Sequence, residues 1–176
     1  TNGGIACAQD IFATNITANI FNTNSKVGAI SNVGQTQQSV PFGVNTVITM
    51  PTTEINNSIY LYGFNPNAIT LTIPGKYLLT FSFWAVSSAP ILTATDRFFE
   101  IYKNLTQVGH CSYHATANGK VQFSGSLSYI VSGVLNDYFY IRFTAANGTS
   151  TATQIGVTGF AAGIMPVLSL TFLGTT

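Results

Sequence analysis

Charge is what this sequence has least of. Six Lys and Arg with five Asp and Glu make 6% of 176 residues charged, for a net charge of +1; an ordinary soluble domain carries roughly 25%. No basic stripe can be assembled from so few cations, which excludes a phosphate backbone as the partner, so no nucleic acid is expected. Long apolar runs are missing as well. The longest, Phe160 to Leu173, is broken by Gly163, Pro166 and Ser169, whereas a spanning helix needs about 20 apolar residues. No membrane span is expected. The chain starts at Thr1 without a Met or a signal-peptide pattern, the expectation for a processed chain.

Cysteine is nearly absent too. Cys7 and Cys111 are the two in the chain, too few for the disulfide framework of a small secreted domain. One Cys7–Cys111 bridge tying the N-terminus to the body is one reading; two partly buried thiols is the other.

Catalytic chemistry finds little to work with. The two histidines bracket a cysteine in His110-Cys111-Ser112-Tyr113-His114. On a helix that spacing shares one face and suits zinc. The surrounding text is strand-like, which sets the imidazoles about 13 Å apart and turns Cys111 to the opposite side. The acids Asp10, Glu54, Asp96, Glu100 and Asp137 are scattered. Asp96 and Glu100 form the one close pair, about 13 Å apart on one strand face, with Arg97 facing the other side; they are expected as edge charges or salt-bridge partners. Gly-x-Ser-x-Gly, P-loop and dinucleotide fingerprints are all missing. Calcium wants clustered carboxylates; Asp137 or Glu54, repeated around a symmetry axis, are the acids that fit such a role. Catalytic, cofactor and metal residues are therefore expected to be none. Four Asn-x-Ser/Thr sequons, at Asn15, Asn56, Asn104 and Asn147, are about as many as chance places in so Asn-, Ser- and Thr-rich a chain.

What is present is hydrophobic. Apolar residues make up 46% of the chain and the mean hydropathy is +0.33, which excludes the disordered class. The length suits one domain with a sizeable core. With so little charge to solvate its surface, the chain is expected to bury apolar area against copies of itself or a larger assembly.

Residues 1–25 are rich in Asn, Thr, Ala and Ile, with a nine-residue echo between Ile11-Phe12 and Ile20-Phe21. Asn and Thr favour turns and extended chain over helix. This stretch reads as an extended N-terminal arm whose Ile11, Phe12, Ile16, Ile20 and Phe21 need a docking surface. From residue 26 to 176, short alternating runs of Thr, Val, Ile, Phe and Tyr are split by Gly, Pro and Asn-Gly. Tyr77 to Val86 is the longest strand candidate; Phe98–Tyr102, Val108–Tyr113, Val121–Val131, Tyr138–Phe143 and Val167–Leu173 follow. Some eight to ten strands with regular turns predict an all-β fold, an antiparallel jelly-roll β-sandwich.

Several phrases then occur in a familiar order. Ile73-Pro74-Gly75-Lys76-Tyr77-Leu78-Leu79-Thr80-Phe81 resembles the Pro-Gly-x-Tyr-x-Phe strand entry of the tumour-necrosis-factor-like and complement-globular-head jelly rolls. Glu100-Ile101-Tyr102-Lys103-Asn104 is similar to that superfamily's Ile-Tyr-Lys-Asn-Gly strand end, with Leu105 where Gly is usual. Phe123-Ser124-Gly125-Ser126-Leu127, followed by Val134-Leu135-Asn136-Asp137-Tyr138, is similar to its Ser-Gly-Ser and Gly-Asp passage, with Asn136 replacing Gly. Leu168 to Gly174 matches its apolar last strand. The resemblance covers about residues 40–174 and implies a compact homotrimer. The aromatics it suggests for the subunit interface are Tyr60, Tyr62, Phe81, Phe83, Tyr138 and Tyr140, each with plain core as the alternative. The pattern, nearly free of charge and rich in Asn, Thr and Ser, also resembles the heads of viral and phage fibre or capsid proteins. The expected role is a non-enzymatic, self-assembling structural subunit of a virion or of an extracellular or cell-surface particle. The alternative is a head domain binding a host receptor or glycan through loops at Thr52–Asn57, Ser87–Thr95 and Asn147–Gln154.

Overall fold

A computed structural model describes residues 29–33, 37–50, 52–56, 60–61, 67–87, 95–115, 122–146, 152–156 and 165–174. Thirteen strands run through them: β1 (Ala29–Val33), β2 (Gln38–Val40), β3 (Thr46–Val47), β4 (Thr52–Asn56), β5 (Tyr60–Leu61), β6 (Ala68–Leu71), β7 (Gly75–Ser87), β8 (Thr95–Lys103), β9 (Thr106–Ala115), β10 (Gln122–Gly133), β11 (Tyr138–Ala146), β12 (Thr153–Ile155) and β13 (Val167–Gly174). All pairings are antiparallel, in two sheets that stack as a jelly-roll sandwich. Two loops expected from the sequence are partly strand. Thr52–Asn56 is β4, paired with β1, and Gln154 lies in β12, an extension along the edge of β7.

β7 organises the first sheet. Its 13 residues alternate Leu, Phe and Tyr with Lys, Ser and Thr, the pattern of a strand with one face buried. β10 runs along one whole edge of it, from Gln122 opposite Val86 to Gly133 opposite Gly75. The other edge is shared by β13, from Val167 opposite Ser82, and by β12 at Thr153 opposite Ser87. β1 and β4 continue beyond β13, and β2 beyond β12. In the second sheet β11 has the central place, with β8 and then β9 on one side and β6, β3 and β5 on the other.

The core lies between Tyr77, Leu79, Phe81, Phe83 and Ala85 of β7 and Phe139, Ile141, Phe143 and Ala145 of β11, all buried. Phe99 of β8 joins the layers, its ring 3.9 Å from that of Phe83 and 4.7 Å from that of Phe143. Fully burying such rings contributes about 1.5–3 kcal/mol each. Phe81 and Phe83 thus take the core alternative rather than the interface one, because both fall on the inward set of the β7 alternation. The 1–25 arm lies outside the described residues, with Ile11, Phe12, Ile16, Ile20, Phe21 and Cys7.

Candidate functional site

Three surfaces are presented by this sandwich. The first is the outer face of β10, β7 and β13. Since the odd-numbered residues of β7 are buried, Leu78, Thr80, Ser82, Trp84 and Val86 take the other side. Register sets Ile130 against Leu78, Ser128 against Thr80, Ser126 against Ser82 and Ser124 against Trp84. Across the other edge Ser169 meets Thr80 and Val167 meets Ser82. The face is a ladder of hydroxyls with Leu78, Trp84, Val86 and Ile130 set into it, and Ile130 is 70% exposed. Lys76, opposite Ser132 at the end of the ladder, is its one charged residue.

The second surface is the outer face of β8 and β11. Tyr102 and Tyr140 stack at 5.3 Å, and Tyr140 stacks on Tyr138 at 5.9 Å. The Arg142 guanidinium lies 4.7 Å from the Tyr102 ring centroid and 5.5 Å from that of Tyr140, within cation–π range. Burial pushes the Tyr140 phenol above its usual range, only partly offset by nearby Arg142. Two of the expected interface aromatics, Tyr138 and Tyr140, therefore sit together here. Tyr60 falls on β5, at the rim of this sheet, and Tyr62 lies outside the described residues.

The third surface is one end of the sandwich, where the β8–β9 hairpin meets the β10–β11 turn. Lys103 Nζ lies 2.8 Å from Asp137 Oδ2 and donates to the Ser132 carbonyl at 2.9 Å. Asn104 Nδ2 donates to Asp137 Oδ1 at 2.8 Å, and the Tyr138 amide donates to Asn104 Oδ1 at 3.1 Å. Burial raises the Asp137 pKa, but bonds from Lys103, the Val134 amide and Asn104 outweigh it and hold the carboxyl below its usual range. Asn104 and Asn136 take positive φ, 55° and 70°, which Asn tolerates better than most residues. At the second, Asn136 performs the glycine's part in the turn. At the first, the strained position falls on Asn104, so Leu105 needs no such freedom. The Asn104 amide is engaged through both its nitrogen and its oxygen. Leu105, Val134 and Leu135 stand exposed around the network.

The residues weighed for catalysis do not converge. His110 and His114 lie on strand β9, as their surroundings suggest. His114 Nδ1 is 2.6 Å from Asp96 Oδ1, and Glu100 accepts from Asn45 Nδ2 at 3.4 Å. Asp137 is committed to Lys103. Cys111 is a free, half-buried cysteine whose thiol burial pushes up in pKa. No three His, Cys, Asp or Glu side chains group together among the described residues.

One residue escaped the sequence reading. Arg97 faces inward, as strand alternation requires, but it is 1% exposed rather than an edge charge. No local signal distinguishes it; its burial comes from the opposite sheet, where Thr153 of β12 and Phe123 of β10 lie against it.

No protein-family model and no curated protein matches this chain. Solved structures do. The globular domain of zebrafish complement 1qA aligns over 85% of this chain and 99% of its own, with a TM-score of 0.51 and 12% identity. An Eiger tumour necrosis factor from S. frugiperda aligns over 84% and 93%, with a TM-score of 0.56 and 9% identity. Murine APRIL at pH 5.0 aligns over 83% and 98%, at 0.53 and 8%. Identities this low speak for the backbone alone, and the chain accordingly has the jelly-roll fold shared by the complement globular head and the tumour-necrosis-factor-like proteins.

Proposed function

We propose that this chain is a non-enzymatic structural subunit that self-associates as a trimer within an extracellular or viral particle. The observation that carries this reading is the hydroxyl-lined face of β10, β7 and β13, with one Lys at its rim and Ile130 exposed in it. A face whose one charge is Lys76 at its rim offers little for a charged partner to complement, and it packs against a neighbouring copy with few ions to desolvate. The overall hydropathy of +0.33 supports the same use, and so does the trimer implied by the ordered Pro-Gly, Ile-Tyr-Lys-Asn and Asn-Asp phrases. In a trimer this face meets a different patch of the next copy, a head-to-tail contact that closes as a ring. The arm of residues 1–25 would add apolar area to the neighbour.

Placing one carboxylate in the middle of the face tests this. Ser128→Asp is expected to reduce the particle mass toward 18.7 kDa, while Val134→Asp, in the exposed β10–β11 turn, leaves it unchanged. An unchanged mass for Ser128→Asp would remove this face from the assembly.

A second reading is favoured by the third surface. Exposed Leu105, Val134 and Leu135, held rigid by the Lys103–Asp137–Asn104 network, suit a head that binds a host receptor or glycan. Under this reading Leu105→Asp abolishes cell attachment and leaves the assembly intact.

A further inference from the structure

Four aliphatic side chains crowd one end of the sandwich: Leu105 in the β8–β9 turn, Val134 and Leu135 in the β10–β11 turn, and Leu173 near the end of β13. Each is more than half exposed. Register brings them together, since Lys103 of β8 lies opposite Phe139 of β11, while Ser132 of β10 and Gly174 of β13 both lie opposite Lys76 of β7. Turn tips ordinarily carry Gly, Asn, Asp, Ser or Pro, and clustered exposed apolar side chains mark a protein or membrane contact. Both turns are held in place by the Asp137 carboxylate, which accepts from the Val134 amide and from Asn104 Nδ2, each at 2.8 Å. Two lysines stand just behind the tips. Exposed Lys76 lies opposite Ser132, and Lys103 Nζ is 2.9 Å from the Ser132 carbonyl. Ser132 is two residues before Val134, about 7 Å at strand spacing. Asp137, bound to Lys103, is the one acid at this end among the described residues.

We propose that this end docks on an anionic phospholipid bilayer, with the four aliphatic side chains entering the boundary between headgroups and acyl chains. The two lysines then rest among the phosphates. The proposal rests on the reading of this end as an attachment surface, and names lipid in place of a receptor or glycan. Apolar surface lying in a membrane interface sinks about 5–10 Å, the span that separates Val134 from the lysines. Protein hot spots favour Trp, Tyr and Arg, with Leu and Val under-represented, so an aliphatic tip suits hydrocarbon better than a protein groove. Lysine stems lie against the same layer while the charge stays at headgroup level. Two lysines against one acid leave a positive end that an anionic leaflet complements.

Flotation of the assembled protein with vesicles tests this, using phosphatidylcholine alone and phosphatidylcholine containing phosphatidylserine. Binding to the anionic vesicles is expected to be about fivefold tighter, the gain from one lysine's worth of charge near such a surface. Leu105→Asp and Leu135→Asp should each weaken it about tenfold or more, through the apolar burial lost. Val44→Asp, at an exposed aliphatic between β2 and β3, should leave it unchanged, and all three should keep the wild-type particle mass. In Leu135→Trp the added indole should be quenched by lipids brominated on their acyl chains. Absence of that quenching, or equal binding by wild type and the two Leu→Asp variants, would overturn the proposal. Binding indifferent to phosphatidylserine would overturn the anionic assignment. No vesicle binding, with cell attachment still abolished by Leu105→Asp, would overturn lipid and leave the receptor or glycan reading standing. No vesicle binding, with attachment indifferent to Leu105→Asp, would remove this end from attachment altogether.

Discussion

Lys103 Nζ and Asp137 Oδ2 lie 2.8 Å apart, joining the end of β8 to the start of β11 at the point where both hairpins turn. The pair is not a surface ornament. The Asp137 side chain is 9% exposed, and its two oxygens also receive Asn104 Nδ2 and the Val134 amide, each at 2.8 Å. Meanwhile the Leu71 amide donates to the Asp137 carbonyl at 2.8 Å and the Asn136 amide to the Leu71 carbonyl at 2.9 Å. A single acid thereby ties together the β8–β9 turn, the β10–β11 turn and the end of β6.

Removing that acid should be costly in stability. Asp137→Asn leaves Lys103 without its carboxylate and weakens three bonds, for an expected loss of about 2–3 kcal/mol by analogy with charged hydrogen bonds. Urea denaturation at neutral pH measures it. A loss within 0.5 kcal/mol, the usual size of an inconsequential surface change, would mean the network holds nothing together.

The same group sets an acid limit. Its folded pKa is below its unfolded value of about 3.9, so its contribution is fully present above that pH and is lost as pH falls through the folded value. The wild-type urea midpoint should therefore drop below about pH 4 more steeply than that of Asp137→Asn. Parallel curves for the two would contradict this.

Asn136 offers a test of the turn. Its φ of 70° is a region glycine enters freely, so Asn136→Gly is expected to stay within about 0.5 kcal/mol of wild type, while Asn136→Ala costs about 1–2 kcal/mol. Equal effects of the two would show that backbone strain does not govern this position.

Tyr129 closes the gap between the sheets at the β9–β10 edge. Its hydroxyl donates to the His110 carbonyl at 2.9 Å and accepts from the His110 amide at 3.3 Å. Its ring lies against Gly109, where an added Cβ would stand 2.8 Å from the ring carbons. Tyr129→Phe should cost about 1 kcal/mol and speed exchange of the His110 amide. Gly109→Ala should cost more, because the ring must move. Unchanged exchange in Tyr129→Phe would place that amide's protection elsewhere.

The strands with strong alternation were legible in the sequence because their physics is local. Tyr77 to Val86 reads as a half-buried strand from its own side chains, and β8, β10, β11 and β13 are found within a few residues of where the alternation puts them. The short strands β2 and β12 were not legible. Gln38–Val40 and Thr153–Ile155 pair with each other and β12 with β7, a relationship between residues far apart in the chain that no window contains. The same distinction separates the site residues. The inward turn of Arg97 follows from alternation, but its burial depends on β12 and β10 of the opposite sheet, whose Thr153 and Phe123 lie against it. Phe81 and Phe83 are aromatic whether they face a neighbour or the core, and only the stacking of β11 opposite them decides for the core. Asp137 looked like a solitary turn acid because Lys103 is 34 residues away.

Sedimentation equilibrium on the purified chain tests the assembly most directly. The expected mass is three times 18.7 kDa, or a larger multiple built from trimers, falling toward the single chain in Ser128→Asp. A stable 18.7 kDa monomer at high concentration would contradict the assembly reading and leave the uncharged face of β10, β7 and β13 open to water.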